Sequence, residues 1–187
     1  MQKNKNKSNN AIVLKRLNAL TRVSSQIKTT EKILARIKKH SDKESEERKK
    51  YWIETFSSLY DQKKWDKLLA SSNACIELFS EWNLCYNYRG IAKRHFGDYE
   101  GAIDDYNKAI ELDSEYASAY FNRGFAKYRL EDNEGAIDDY TIAIELDSED
   151  ASAYSNRGVA KNALGDEQGA IEDKLKADEL EKKQQEK

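Results

Sequence analysis

The sequence repeats itself every 34 residues, and this period constrains the fold more than any other feature. The stretch at residues 86–93 recurs at residues 120–127 and 154–161. A second motif, Gly-Ala-Ile followed by two acids, begins at residues 101, 135 and 169. Residues 83–116 and 117–150 are identical at 20 of 34 positions, which excludes chance similarity. A period of this length predicts units that fold alike and stack on one another.

Each unit has the pattern of two helices joined by a short turn. Gly97 and Asp98 lie between the helices of the first clear unit, where glycine allows a left-handed helix end and aspartate caps the next helix. In the second helix, apolar residues three and four apart form one face: Ala102, Ile103, Tyr106, Ala109 and Ile110. Because a single hairpin cannot bury this face, the units must stack.

These motifs resemble the tetratricopeptide repeat family, whose signature contains W-x2-L-G-x2-Y followed by A-x3-F at this period. Tyr86 takes the Trp place, Gly90 takes the Gly place, and residues 102–106 supply Ala-x3-aromatic. Arg89 and Lys93 replace the Leu and the second aromatic residue, and the later units carry the same changes. The resemblance implies an all-α, right-handed solenoid of helical hairpins, preceded here by an N-terminal amphipathic helical segment.

The register of the repeat divides the chain into six segments. In order, they are a disordered basic tail (1–10), a basic amphipathic helix or helical hairpin (11–48), a degenerate repeat (49–82) and three clear repeats (83–116, 117–150 and 151–187). In the degenerate repeat, Trp52 falls in the aromatic place and Phe56 in the Gly place. In the last repeat, Lys174 replaces the core tyrosine, and the charged end of the chain suits a solvent-facing capping helix.

The resemblance also implies a binding surface, because in this family the first helices of the hairpins line a concave groove that binds peptides. The predicted groove residues are Asn87, Ile91, Arg94, Phe121, Asn122, Phe125, Tyr128, Arg129, Asn156 and Val159. Three of them, Phe121, Phe125 and Tyr128, form an aromatic stripe beside the family's core positions, and we expect packing not to need this stripe. Either a partner or the N-terminal helix of the same molecule would then cover it.

The N-terminal part of the chain has the opposite charge to the rest. Residues 1–50 contain 15 Lys/Arg and 5 Asp/Glu, a net charge of +10, whereas residues 51–187 contain 17 and 29, a net charge of −12. Residues 11–40 carry apolar side chains at helical spacing: Val13, Leu17, Leu20, Val23, Ile27, Leu34 and Ile37. The alternatives for this segment are packing on the first repeat, self-association, attachment to a membrane surface and organelle targeting. Residues 1–50 contain no aromatic residue, which argues against both membrane-surface and nucleic-acid binding.

The sequence contains no recognisable motif for catalysis, a cofactor or a metal. Walker, GxSxG and zinc-ligand spacings are missing, and the two carboxylates of each recurring Asp-Asp pair point in different directions on a helix. The cysteines, Cys75 and Cys85, are expected to be buried and unbonded in a reducing, cytoplasmic environment. No apolar run is long enough to span a membrane, so the protein is expected to be soluble. We expect no enzyme activity, no cofactor and no metal.

The favoured function is an adaptor or scaffold that binds a partner peptide or helix in the concave groove. Some members of the family hold the C-terminal carboxylate of chaperones with a clamp of Lys, Asn and Arg residues. Here only Asn122 matches the clamp positions, which argues against a co-chaperone role. The alternatives are a self-assembling structural module and attachment to a membrane or other anionic surface through the basic N-terminal helix.

Overall fold

A computed structural model describes Lys43 and residues 45–185 of the chain. The chain divides into two units between Ile53 and Glu54, and the second unit contains the three clear repeats. The predicted basic tail and most of the predicted amphipathic segment, including the apolar positions in 11–40, lie outside the described residues. The described residues are helical or in turns, and none of them forms a β-strand.

The described residues form eight helices. They are α1 (residues 45–61), α2 (Trp65–Leu78), α3 (Asn83–His95), α4 (Tyr99–Leu112), α5 (Ala117–Arg129), α6 (Asn133–Leu146), α7 (Ala151–Ala163) and α8 (Glu167–Gln185). Within the repeats, α3 pairs with α4, α5 with α6, and α7 with α8, and the second helix of each hairpin contacts the first helix of the next. The first helices also contact one another, α3 with α5 and α5 with α7. This arrangement confirms the predicted solenoid of stacked helical hairpins.

The turns inside the hairpins form where the sequence predicts them. Gly97 and Gly165 have φ angles of 82° and 84°, a left-handed conformation that glycine adopts without steric cost. After α5 the same role falls to Glu131, with φ at 66°. The Asp98 carboxylate accepts a 3.0 Å hydrogen bond from the backbone N–H of Gly101 and so caps α4.

Small residues bring the two helices of a hairpin close together. A Cβ atom at Gly90 in α3 would lie only 2.5 Å from Cε1 of Tyr106 in α4, so glycine makes room for this ring. Tyr106 is fully buried, together with Ala102 and Ala109 on the same helix. Its hydroxyl has no hydrogen-bond partner among the described residues, and burial raises the pKa of the phenol. Tyr106 therefore acts as an uncharged space-filling residue.

The degenerate repeat has larger side chains in its core. Phe56, Leu68 and Cys75 are fully buried. The ring of Phe56 lies 4.8 Å from the ring of Tyr88 in α3, measured between centroids. An aromatic contact thus joins this repeat to the next one, at the position where the clear repeats have glycine.

The expectation of two unbonded cysteines is wrong. Cys75 and Cys85 form a disulfide that joins α2 to α3, with their Cα atoms 5.7 Å apart and both residues fully buried. Their separation of 10 residues gave no sign of pairing, because the contact arises only when α3 folds against α2. The argument for a reducing compartment is lost with it, since disulfides persist mainly in oxidising ones.

Candidate functional site: a concave groove and an end pocket

Three of the predicted groove residues are engaged inside the array. Asn87, Ile91 and Asn122 are buried. Nδ2 of Asn122 donates a hydrogen bond to Oδ1 of Asn87 at 3.1 Å, and Nδ2 of Asn87 donates to the hydroxyl of Tyr116 at 3.2 Å. Burial raises the pKa of Tyr116 to about 12 despite the opposing effect of the bond from Asn87. The two amides therefore connect α3 to α5.

The aromatic stripe on α5 is part of the core, contrary to our expectation that packing does not need it. Phe121, Phe125 and Tyr128 are half-buried and pack against a cluster of Ala136, Tyr140 and Ala160. The Phe121 and Tyr140 ring centroids lie 5.7 Å apart. Because Ala160 belongs to α7, the stripe helps to hold one hairpin on the next, and only its outer edges face solvent.

Two arginines of the predicted groove lie over aromatic rings. The guanidinium carbon of Arg94 lies 4.7 Å from the ring centroid of Phe125. That of Arg129 lies 4.9 Å from the ring of Tyr99. Such cation–π contacts fix the position of a guanidinium while its N–H groups remain free to donate hydrogen bonds. These predicted groove residues thus place cations beside half-buried aromatic rings.

The last hairpin presents a different surface, because it contains an open pocket. Val159 is 47% exposed, and the side chain of Asn156 donates to the backbone oxygen of Ser152 within α7. The pocket has a volume of about 570 Å³. We call it the end pocket; it lies between α7 and α8 and is lined by Ser155, Gly158, Val159, Asn162, Glu167, Ala170, Ile171, Lys174, Ala177, Asp178 and Glu181.

The end pocket occupies the place that aromatic side chains fill in the preceding hairpin. Thirty-four residues earlier, the positions of Ser155, Val159, Asn162 and Lys174 are held by the aromatic stripe and Tyr140. Those four aromatic residues form one packed cluster in α5 and α6. Their replacement by smaller or polar residues leaves the same space open in the last hairpin.

A polar ladder runs through the three clear repeats at the positions where the sequence departs from the family pattern. In each rung, an Arg and a Lys of the first helix form ion pairs with one Asp of the second, with N···O distances of 2.5 to 2.9 Å. The three carboxylates are 2–4% exposed. The rungs are Arg89, Lys93 and Asp105; Arg123, Lys127 and Asp139; and Arg157, Lys161 and Asp173.

The same arginines also contact the preceding hairpin. Nη1 of Arg123 donates to Oδ1 of Asn107 in α4 at 2.7 Å. Nη1 of Arg157 donates to Oγ1 of Thr141 in α6 at 3.2 Å. The polar ladder therefore connects successive hairpins as well as the two helices within each hairpin.

The basic residues around Asp173 keep its buried carboxylate ionised. Burial alone would raise the pKa of Asp173, but hydrogen bonds and charges from Arg157 and Lys161 outweigh burial and lower the pKa. A carboxylate held ionised in this way does not donate a proton at neutral pH. Within residues 45–185, no group of three His, Cys, Asp or Glu residues is arranged to hold a metal ion.

Comparison with known proteins agrees with this geometry. The sequence profile of the TPR repeat matches residues 94–131 and 126–165. The second TPR of Spaghetti (RPAP3), solved bound to the HSP90 peptide SRMEEVD, is 32% identical; the match covers 52% of this chain and 91% of that one, with a TM-score of 0.52. This chain belongs to the tetratricopeptide repeat family. No curated protein sequence matches it significantly.

Other solved structures share the fold. The first TPR of Spaghetti (RPAP3), also bound to the peptide SRMEEVD, is 24% identical, covers 60% of this chain and 89% of its own, and has a TM-score of 0.57. MamA is 24% identical, with 71% of this chain and 77% of that chain covered and a TM-score of 0.64. No helix among the described residues is both long and apolar enough to cross a bilayer.

Proposed function

We propose that this tetratricopeptide array is an adaptor that binds a segment of a partner protein along the concave face of α3, α5 and α7. The observation that carries the proposal is the pairing of Arg94 with the ring of Phe125, beside the half-buried Tyr128 and the exposed Arg129. The hot spots of protein interfaces are enriched in Arg, Tyr and Trp. The surface is therefore suited to a segment with apolar anchors and at least one carboxylate, and the proposal gives it no catalytic role.

The peptide-bound relatives support this mode of binding but not the same ligand. Both Spaghetti repeats were solved with a peptide that ends in Glu-Glu-Val-Asp. In this chain, Asn122 is the only residue that matches the carboxylate clamp, and its amide is hydrogen-bonded to Asn87. Asn122 is also buried, so the second N–H of its amide is poorly accessible to a ligand carboxylate. We propose that the ligand is not a chaperone C-terminus.

The proposal can be tested by selecting peptides from a displayed random library with the full chain as bait. We expect selected sequences to combine apolar residues with Asp or Glu, because the groove presents Arg94 and Arg129. The variant Arg94→Gln/Arg129→Gln should lose these peptides and keep its helix content. Phe125 is left intact, because its ring packs on the core and its truncation would confuse binding with stability.

Lys108→Gln is the matched control, because Lys108 is a cation on α4 whose ion pair with Glu111 lies at the surface. This control should bind the selected peptides like the unmodified chain. Peptides that lack acidic residues, or that bind the double arginine variant equally well, would show that recognition lies elsewhere on the molecule.

The other functions considered for the N-terminal segment remain predictions, since residues 11–40 lie outside the described residues. Attachment to an anionic membrane and organelle targeting both rest on their basic, amphipathic sequence. The proposed adaptor role requires neither. A cytoplasmic location also remains a prediction, without the support that free cysteines would have given it.

A further inference from the structure

The last hairpin exposes the face on which every earlier hairpin receives its neighbour. On α5 and α6 that face is covered by α7, where Ala160 packs against Ala136 and Tyr140. The equivalent face of α7 and α8 has no following hairpin within the described residues. Its apolar side chains are open to solvent: Val159, Ile171 and Leu175 are 47%, 54% and 63% exposed.

Two substitutions make this face unsuitable for another repeat of the same kind. Where the polar ladder would continue, Leu175 stands in place of Thr141, the residue that accepts a hydrogen bond from the next arginine. Lys174 stands in place of Tyr140 and opens the end pocket. The arginine of an incoming repeat would find no side-chain oxygen to accept its hydrogen bond at this point. The face instead fits a segment that brings apolar side chains into the pocket.

The charges around the end pocket indicate the chemistry of its occupant. Its lining contains three carboxylates, those of Glu167, Asp178 and Glu181, and a single ammonium group, that of Lys174. None of the three carboxylates forms an ion pair with another described residue. A pocket that combines apolar side chains with three acids unpaired among the described residues favours an amphipathic segment with a basic polar face.

We propose that the end pocket binds residues 11–40 of a second copy of this chain. That segment contains eight Lys/Arg, one acidic residue and apolar side chains at helical spacing, among them Val13, Leu17 and Leu20. Its apolar side chains enter the end pocket, a space that aromatic residues fill in the preceding hairpin. Such a head-to-tail contact is heterologous and joins copies into chains or rings. It goes beyond the proposed groove function, because it uses the end face and not the groove arginines.

The test measures the molar mass of the full chain by light scattering over a concentration series at low salt. The filled-pocket variant, Ser155→Phe/Val159→Phe/Lys174→Tyr, introduces three of the four aromatic residues that fill the same space in the preceding hairpin. Association of the unmodified chain should increase with concentration and decrease with salt. The filled-pocket variant should remain monomeric and melt no lower than the unmodified chain, so loss of association cannot be attributed to unfolding.

A second measurement titrates a labelled peptide of residues 11–40 into the full chain and its variants. Glu167→Gln/Asp178→Asn/Glu181→Gln should raise the dissociation constant of the peptide by about tenfold. Glu172→Gln is the matched control, since Glu172 is an exposed acid on α8 outside the pocket, and should leave the constant unchanged. The arginine variant of the groove should associate normally, which separates this proposal from the adaptor role.

Three results would overturn the proposal. The first is a filled-pocket variant that associates or binds the peptide as the unmodified chain does. The second is an unmodified chain that stays monomeric throughout the concentration series at low salt. The third is a peptide that binds vesicles of anionic lipid but not the full chain, which would assign residues 11–40 to a membrane surface.

Discussion

Asp139→Asn should destabilise the array strongly, because it leaves two cations of the polar ladder without their counter-charge. Nε and Nη2 of Arg123 donate to the Asp139 carboxylate at 2.9 and 2.6 Å, and Nζ of Lys127 lies 2.9 Å from it. Removing one partner from a buried ion pair costs about 3–5 kcal/mol. The Arg123 and Lys127 side chains are 17% and 22% exposed and retain some hydration. We therefore expect a loss of about 3 kcal/mol, at the lower end of that range.

Urea unfolding followed by far-ultraviolet circular dichroism measures this loss, which corresponds to a decrease of about 6–12 °C in Tm for a chain of this size. The matched control is Asp138→Asn, because Asp138 is the adjacent residue and is exposed. We expect the control to change stability by no more than about 0.5 kcal/mol. Equal shifts in the two variants would refute the conclusion that the ladder stabilises the array. Replacing the whole rung by Arg123→Leu/Lys127→Tyr/Asp139→Leu should restore much of the stability, since no charge is left unpaired.

Four further predictions concern the core, the disulfide and pH. Gly90→Ala should cost about 1–3 kcal/mol in urea unfolding, because its Cβ would lie 2.5 Å from Tyr106. Tyr106→Phe should leave the unfolding midpoint unchanged or raise it, since the hydroxyl has no partner among the described residues. Reduction of the Cys75–Cys85 bond should lower the free energy of unfolding by about 2–4 kcal/mol, which a comparison of Tm with and without reductant would detect. Folding lowers the pKa of Asp173. Its contribution to the free energy of unfolding is therefore complete above the pKa of the unfolded state and is lost as pH falls through the pKa of the folded state. The stability difference between the unmodified chain and Asp173→Asn should shrink in acid.

The hairpins and their stacking were predictable because their signals are local. The spacing of Ala102, Tyr106 and Ala109 marks a helix face, and Gly97 with Asp98 marks a turn within a few residues. Each of these signals acts over one or two helical turns. The structure confirms the helices and turns that they predict.

The details of the site depend on contacts between distant segments, and sequence spacing did not show them. Phe125 was assigned to a free stripe, but its cluster includes Ala160, which lies on the next hairpin. The changes at Arg89 and Lys93 were recognised, but not their pairing with Asp105, sixteen residues beyond the arginine on the facing helix. The joint recurrence of the three residue types at the 34-residue period was the available signal. Basic and acidic residues that recur together at the same positions of each repeat indicate an ion pair.

The polar ladder also determines how the array can be lengthened. The second helix of each interior unit carries two acceptors, Asp105 for the arginine of its own unit and Asn107, two residues later, for the arginine of the next. A 34-residue segment thus contains both the arginine and the acceptor that connect one hairpin to the next. A tandem duplication of residues 117–150 would therefore insert a complete unit without requiring any new contact to evolve. In the last unit Leu175 replaces the second acceptor. The arginine of a duplicated unit added after α8 would therefore face an aliphatic side chain that cannot accept its hydrogen bond.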